Sequence, residues 1–170
     1  MFRGCSSLTT PPNLPVTTLA DGCYEGMFEN CIALTTAPTL SSTTLAYSCY
    51  QSMFSGCTSL VTAPQLPAIN LESDCYRAMF MNCTSLLIIP NLPATALISR
   101  CYYEMFSNCS KVKISTTQTG DYQTSYHIPN NKSGVDVYYP VKDMFKNTGG
   151  TFTGTPSVNT TYYTSNTIVS

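Results

Sequence analysis

The chain has 170 residues, with eight Lys+Arg and nine Asp+Glu for a formal net charge of −1. That length suffices for one domain or one repeat array, and the lack of a basic face excludes a nucleic-acid partner. The most apolar run, Leu86-Leu87-Ile88-Ile89, ends at Pro90. It falls far short of the roughly 20 apolar residues that span a membrane, so no membrane insertion is expected.

At the N-terminus, Phe2-Arg3-Gly4-Cys5 has the look of a lipoprotein cleavage box but no apolar segment precedes it. Cys5 also falls in register with later cysteines, so any export signal is expected upstream of this chain. From Met1 onward the sequence repeats. Met-Phe pairs begin at Met1, Met27, Met53, Met79 and Met105, each 26 residues after the last. Cys5, Cys31, Cys57, Cys83 and Cys109 keep the step, as do Cys23, Cys49, Cys75 and Cys101, each followed by tyrosine. Columns of Leu8/Leu34/Leu60/Leu86 and Pro12/Pro38/Pro64/Pro90 complete the unit. A period in this range marks a stacked repeat architecture, because one unit cannot bury its apolar side alone.

Each unit reads as two halves. Cys23, Met27 and Cys31 lie at i, i+4 and i+8 with Tyr24 and Phe28 beside them. At about 100° per residue these cover one apolar stripe roughly 140° wide, which predicts an amphipathic helix. The second half carries Leu34, Ala37 and Leu40 around Pro38. Its Thr and Pro content predicts a short extended segment and a turn. The expected fold is therefore an α/β solenoid, a leucine-rich-repeat stack with one short strand and one helix per 26-residue repeat.

Within this frame Met53-Phe54-Ser55-Gly56-Cys57-Thr58-Ser59-Leu60 resembles the signature of BspA-like leucine-rich repeats, in the variant common in gut Bacteroidetes. The resemblance covers residues 1–112 in five in-register copies. The family occurs on bacterial and some protist surfaces, and the resemblance implies adhesion and extracellular or cell-surface display.

Residues 1–112 are thus read as four full units plus the start of a fifth. After Val112 the pattern breaks, and residues 113–143 are read as an insertion. Met144-Phe145-Lys146-Asn147-Thr148 is similar to Met105-Phe106-Ser107-Asn108-Cys109, and Pro156 and Val158 fall near the Pro and Leu columns. Residues 144–170 are read as a degenerate terminal repeat forming a divergent C-terminal cap. A separate small β domain is the alternative. Met1 sits mid-repeat with no preceding Cys-Tyr turn, so the chain is expected to be part of a longer array. Its first apolar layer then offers a route to end-to-end self-association.

Nine cysteines admit three readings. Zinc ligands usually sit two to four residues apart, whereas these are 8 or 18 apart, and the one histidine, His127, lies in the insertion. No metal or other cofactor is expected. Disulfides between neighbouring coils are sterically feasible, with Cα atoms roughly 5 Å apart. The count is odd, however, and every cysteine lies on the apolar stripe, so reduced packing thiols are the reading adopted. Catalysis has no distinctive candidate. Asp21, Glu25 and Glu29 cluster only in the first unit, and the equivalents of Glu25 are Gln51, Arg77 and Tyr103. Asn82-Cys83-Thr84 and Asn108-Cys109-Ser110 match the glycosylation triplet but belong to the repeat consensus.

Function is expected in columns that vary while the scaffold stays fixed. On the strand side these are Thr36/Thr62/Ile88 and Thr39/Gln65/Asn91. On the helix side they are Gln51/Arg77/Tyr103, together with the column of Glu29, Ser55, Met81 and Ser107. Tyr138, Tyr139, Tyr162 and Tyr163 add a tyrosine-rich tail suited to stacking on sugars or anchoring a protein. The expectation is a non-enzymatic surface or secreted module that binds a protein or glycan ligand. The alternative is a structural stalk, fibre or coat segment assembling through its ends.

Overall fold

The computed structural model describes residues 1–169, and among them there is no helix. The regular elements are eight short strands: β1 (Ile88–Pro90), β2 (Ala96–Leu97), β3 (Lys113–Ser115), β4 (Thr124–Ile128), β5 (Asn130–Asn131), β6 (Gly149–Gly150), β7 (Thr160–Thr164) and β8 (Thr167–Val169). The expected α/β leucine-rich-repeat solenoid with a helix in every unit is therefore overturned. What occupies the expected helix is a ribbon of consecutive tight turns.

Hydrogen bonding defines that ribbon. Cys49, Gln51, Met53, Ser55 and Cys57 each donate to the carbonyl three residues back. The residues between them leave the turn altogether: Tyr50, Ser52, Phe54 and Gly56 donate to Cys75, Arg77, Met79 and Met81 of the next coil. An α-helix would send every N–H four residues back along its own segment. Here alternate donors are spent between coils. The geometry also demands a left-handed residue every fourth position, at Ser48, Ser52 and Gly56 (φ 52°, 54° and 74°), and again at Asp74, Ala78, Asn82 and at Arg100, Glu104, Asn108. A non-glycine residue there costs on the order of 1–2 kcal/mol.

The ribbon turns its apolar pairs inward with a period of four. Tyr50, Met53, Phe54 and Cys57 are all at most 2% exposed, and so are their counterparts in the next two coils. In an α-helix, four residues overshoot a full turn by about 40°, and such pairs would spiral off one face. Stacking keeps equivalent residues directly over one another. Phe2, Phe28, Phe54, Phe80 and Phe106 form a column with ring centroids 5.7 Å apart and planes within 12° of parallel. Tyr24, Tyr50, Tyr76 and Tyr102 form a second column at 5.8–6.0 Å. Parallel rings at this separation are offset, the arrangement their quadrupoles favour. Ser55 and Ser107, read from the sequence as outward-facing, are 4% and 3% exposed.

The second half of each unit does run extended, though only briefly. Parallel bridges join Thr36 to Thr62 and Thr62 to Ile88, and proline follows two residues later in each copy. Proline's missing donor stops the ladder there. The ladder continues from β1 into β8, with Ile88 opposite Thr167, and β2 pairs in parallel with β5. The next repeat-equivalent strand, β3, instead joins a four-stranded sheet in the order β4-β7-β3-β6. Asn166 secures this arrangement. Its buried amide donates to the carbonyls of Leu87 and Lys111 and accepts from the Lys113 N–H.

At the C-terminal end the coil register shifts from 26 to 39 residues: Asn108 bonds Asn82 on one side and Asn147 on the other, at 2.8 Å each. Phe145 extends the phenylalanine column by one ring, 6.0 Å from Phe106. Beyond it the stacking changes. Tyr126 and Phe152 meet Phe145 edge-on at 64° and 80°, and Tyr162 is tilted at 56°. Their electropositive edges close the column's last face.

Phe54→Ala should cost about 3–5 kcal/mol, because the ring is sandwiched on both faces and no water can fill the gap. Ala78→Gly separates the turn ribbon from a helix by sign. In a helix it would destabilise by about 0.5–1 kcal/mol, whereas at φ 51° it should cost nothing or gain up to about 1 kcal/mol. Chemical denaturation of both variants, with far-UV circular dichroism lacking the helical double minimum, checks these statements.

Candidate binding surface

The outward side chains of the turn ribbons stand in columns across successive coils. Gln51, Arg77 and Tyr103 do share such a column. Gln51 donates to the Glu25 carboxylate at 3.2 Å, and the Arg77 guanidinium lies over the Tyr103 ring, 5.2 Å from its centroid. One column away, Arg100 grips the buried carboxylate of Asp74 with two bonds of 2.8 Å, while Arg77 approaches the same group at 3.5 Å. The Arg100 guanidinium is held above its ordinary pKa by its hydrogen bonds with Asp74 and by that carboxylate's charge.

The last coil continues these columns. Tyr139 follows Arg100 and is 61% exposed, beside Tyr138 at 59%; Lys142 Nζ rests over the Tyr139 ring at 4.9 Å. Tyr47 is a further half-exposed ring on the same side. The result is a band of tyrosines interleaved with guanidinium and ammonium groups, fixed by the stack beneath. Tyr139 adopts φ 50° although a bulky residue is disfavoured there. Its exposure means that burial does not offset the strain. Of the two remaining tail tyrosines, Tyr162 is buried in the C-terminal sheet and Tyr163 is half-buried.

The strand-side candidates lie apart from this band. Thr36, Thr62 and Ile88 contribute their backbones to the parallel ladder; Thr36 is exposed, and Thr62 and Ile88 are half-buried. Gln65 and Asn91 are brought together. With Leu66, Pro67, Pro93 and Val169 they line a depression of about 220 Å³. Thr39, one coil earlier, is exposed but outside it. Sequence reasoning left out Arg100, Asp74, Lys142 and Tyr47 on the turn side and Val169 on the strand side. Arg100 and Lys142 were reachable by extending the match between residues 105–109 and 144–148 backward by a few positions.

The nine cysteines are all free. Cys57, Cys83 and Cys109 each point Sγ at the carbonyl of a phenylalanine in the preceding coil, at 2.9–3.1 Å. Burial pushes the thiols up, Cys49 to about 11 and Cys57, Cys101 and Cys109 to about 12. Among the described residues no group of three or more His, Cys, Asp or Glu side chains could hold a metal ion. Among the described residues no helix is long and apolar enough to cross a membrane.

The thiols yield a prediction in two parts. In native protein a thiol reagent should label only Cys5 and Cys23, which are exposed, and all nine should react after unfolding without reductant. The pH effect follows from the raised values. An unfolded cysteine ionises from about pH 8.5, whereas the buried ones stay protonated up to about 11–12. Their stabilising contribution is therefore complete below pH ~8.5 and is lost progressively as pH rises toward the folded values. Denaturant midpoints measured across the alkaline range should fall in that window, and a flat profile would mean the thiols are not desolvated.

No protein-family model, curated protein or solved structure matches this chain.

Proposed function

We propose that this chain is a non-enzymatic repeat module, secreted or displayed at a cell surface, that binds a protein or a glycan through the flank of its stack. The observation that carries the reading is the band of Tyr47, Tyr103, Tyr138 and Tyr139 interleaved with Arg77, Arg100 and Lys142. Tyrosine and arginine are the residue types that dominate binding hot spots, since they supply large amphipathic contact at low entropic cost. Here both are held on a stack whose equivalent rings are nearly parallel from coil to coil, so little ordering remains to be done on association. The BspA-like repeat signature supports adhesion and surface display. The protonated state of the buried thiols supports a non-catalytic role, because the thiolate is the nucleophile.

Screening the chain against immobilised extracellular-matrix proteins and a glycan array tests this reading. A paired Tyr138→Ala, Tyr139→Ala variant should lose about tenfold or more in affinity for whatever is bound. Its melting temperature should stay near that of the parent, since both rings are exposed. Absence of binding to either panel, or binding indifferent to changes on every exposed face, would overturn it.

A further inference from the structure

The charged side chains of the repeats are confined to one side. Residues 6–20, 32–46, 58–71 and 84–98 contain no Asp, Glu, Lys, Arg or His, whereas Arg3, Asp21, Glu25, Glu29, Glu72, Asp74, Arg77, Arg100 and Glu104 all fall in or beside the turn ribbons. The uncharged stretches are nonetheless well exposed. Val16, Ile69 and Leu87 are 49%, 52% and 45% accessible, and Thr17, Thr43, Thr95 and Asn70 lie open beside them. A solvated flank ordinarily carries mixed charge. Excluding it through four repeats fits a surface that meets an uncharged ligand, against which a buried ion would be desolvated without a partner.

Concavity on this flank is concentrated at one place. The depression between Gln65 and Asn91 adjoins a second one of about 240 Å³, which Asn91 shares with Ser125, Tyr126 and His127. A third, of about 230 Å³, begins a few residues on, between Ile69, Asn70, Thr95 and Lys132. Asn91 donates its backbone N–H to Val169, but its exposed side-chain amide has no partner among the described residues. The Ser125 hydroxyl is likewise exposed, and His127 uses Nδ1 on Thr161 and leaves Nε2 to solvent. Gln65 and Asn91 rim a floor of Leu66, Pro67 and Pro93 in the first depression, Ser125 and His127 stand beside Leu92 and Ala94 in the second, and Lys132 lies at the far end in the third. This pairs neutral hydrogen-bonding groups with flat apolar patches, as a pyranose pairs ring hydroxyls with an apolar face.

We propose that the run of depressions centred on Asn91 is a binding site for a neutral oligosaccharide, laid across the uncharged flank. Asn91 supplies a donor and an acceptor to sugar hydroxyls, Gln65 and Ser125 bracket it, and Pro67 and Pro93 pack against ring faces. This site is separate from the tyrosine band, so it stands or falls independently of what that band recognises.

Titration calorimetry of the whole chain with neutral hexasaccharides built from glucose, mannose, xylose or N-acetylglucosamine tests the proposal. At least one should bind, with affinity unchanged between low and high salt because no ion pairs are involved. Asn91→Ala should weaken it about tenfold, the effect of one well-made hydrogen bond (RT ln 10 ≈ 1.4 kcal/mol). Asn91→Ala is an exposed-site change and should leave the melting temperature in place. Tyr138→Ala, Tyr139→Ala should leave this binding untouched. Failure of every neutral hexasaccharide to bind overturns the proposal, as does binding confined to anionic glycans or abolished by the tyrosine variant alone. In the last case the module still binds through its turn flank, and only the Asn91 site is lost.

Discussion

In the ribbon of every repeat the N–H groups of alternate residues turn away from their own segment and donate to the following coil, while their neighbours bond the carbonyl three residues back. The rest of the molecule follows from that alternation. It fixes a left-handed residue at every fourth position and gives the inward side chains a period of four. It also holds equivalent rings in register at a spacing set by backbone bonds. Bond and ring therefore reinforce each other: the hydrogen bonds align the rings, and the apolar columns exclude the water that would compete for the bonds.

How far this could be read in advance depended on which force governs each feature. The inward columns of Cys, Tyr, Met, Phe, Leu and Pro were legible, because burial leaves a direct imprint on residue type. The conformation was not. Cys23, Met27 and Cys31 at i, i+4 and i+8 satisfy a helical stripe as well as a four-residue ribbon. Paired inward residues and Gly22, Gly26 and Asn30 at the left-handed positions mark the ribbon in the first coil. Later coils hide that mark, with Asp74, Ala78, Arg100 and Glu104 in the same places. These residues accept a locally unfavourable conformation because inter-coil bonding outweighs it.

The sites were legible in the same partial way. Gln65 and Asn91 sit in one column, and the coil spacing brings them to one depression. Lys142 joins the Arg77 column, and Tyr139 the Arg100 column, only through a register shift of 39 residues. Val169 reaches the groove because β8 pairs with a strand distant in sequence, a contact that no periodicity encodes. The two flanks divide by chemistry, with ions and tyrosines on the ribbons and hydroxyls, amides and prolines opposite. One stack can therefore present two unlike surfaces without the requirements of either compromising the other.

Along the turn ribbons the donated bonds run one way, each coil giving its free N–H groups to the coil that follows, whereas on the strand side Thr35, Val61, Leu87 and Thr95 donate to the coil before. Peptide dipoles aligned head to tail add up, so the ribbon side is polar along the stacking direction, with its carbonyls facing one end and its amides the other. The residues that close the amide end are oxygen donors of lone pairs: Thr155 Oγ1 takes the N–H of Asp143, and the Gly154 carbonyl takes that of Phe145. A closure for the opposite end would have to be built from hydrogen-bond donors. The two ends of the ribbon therefore call for caps of opposite hydrogen-bonding character.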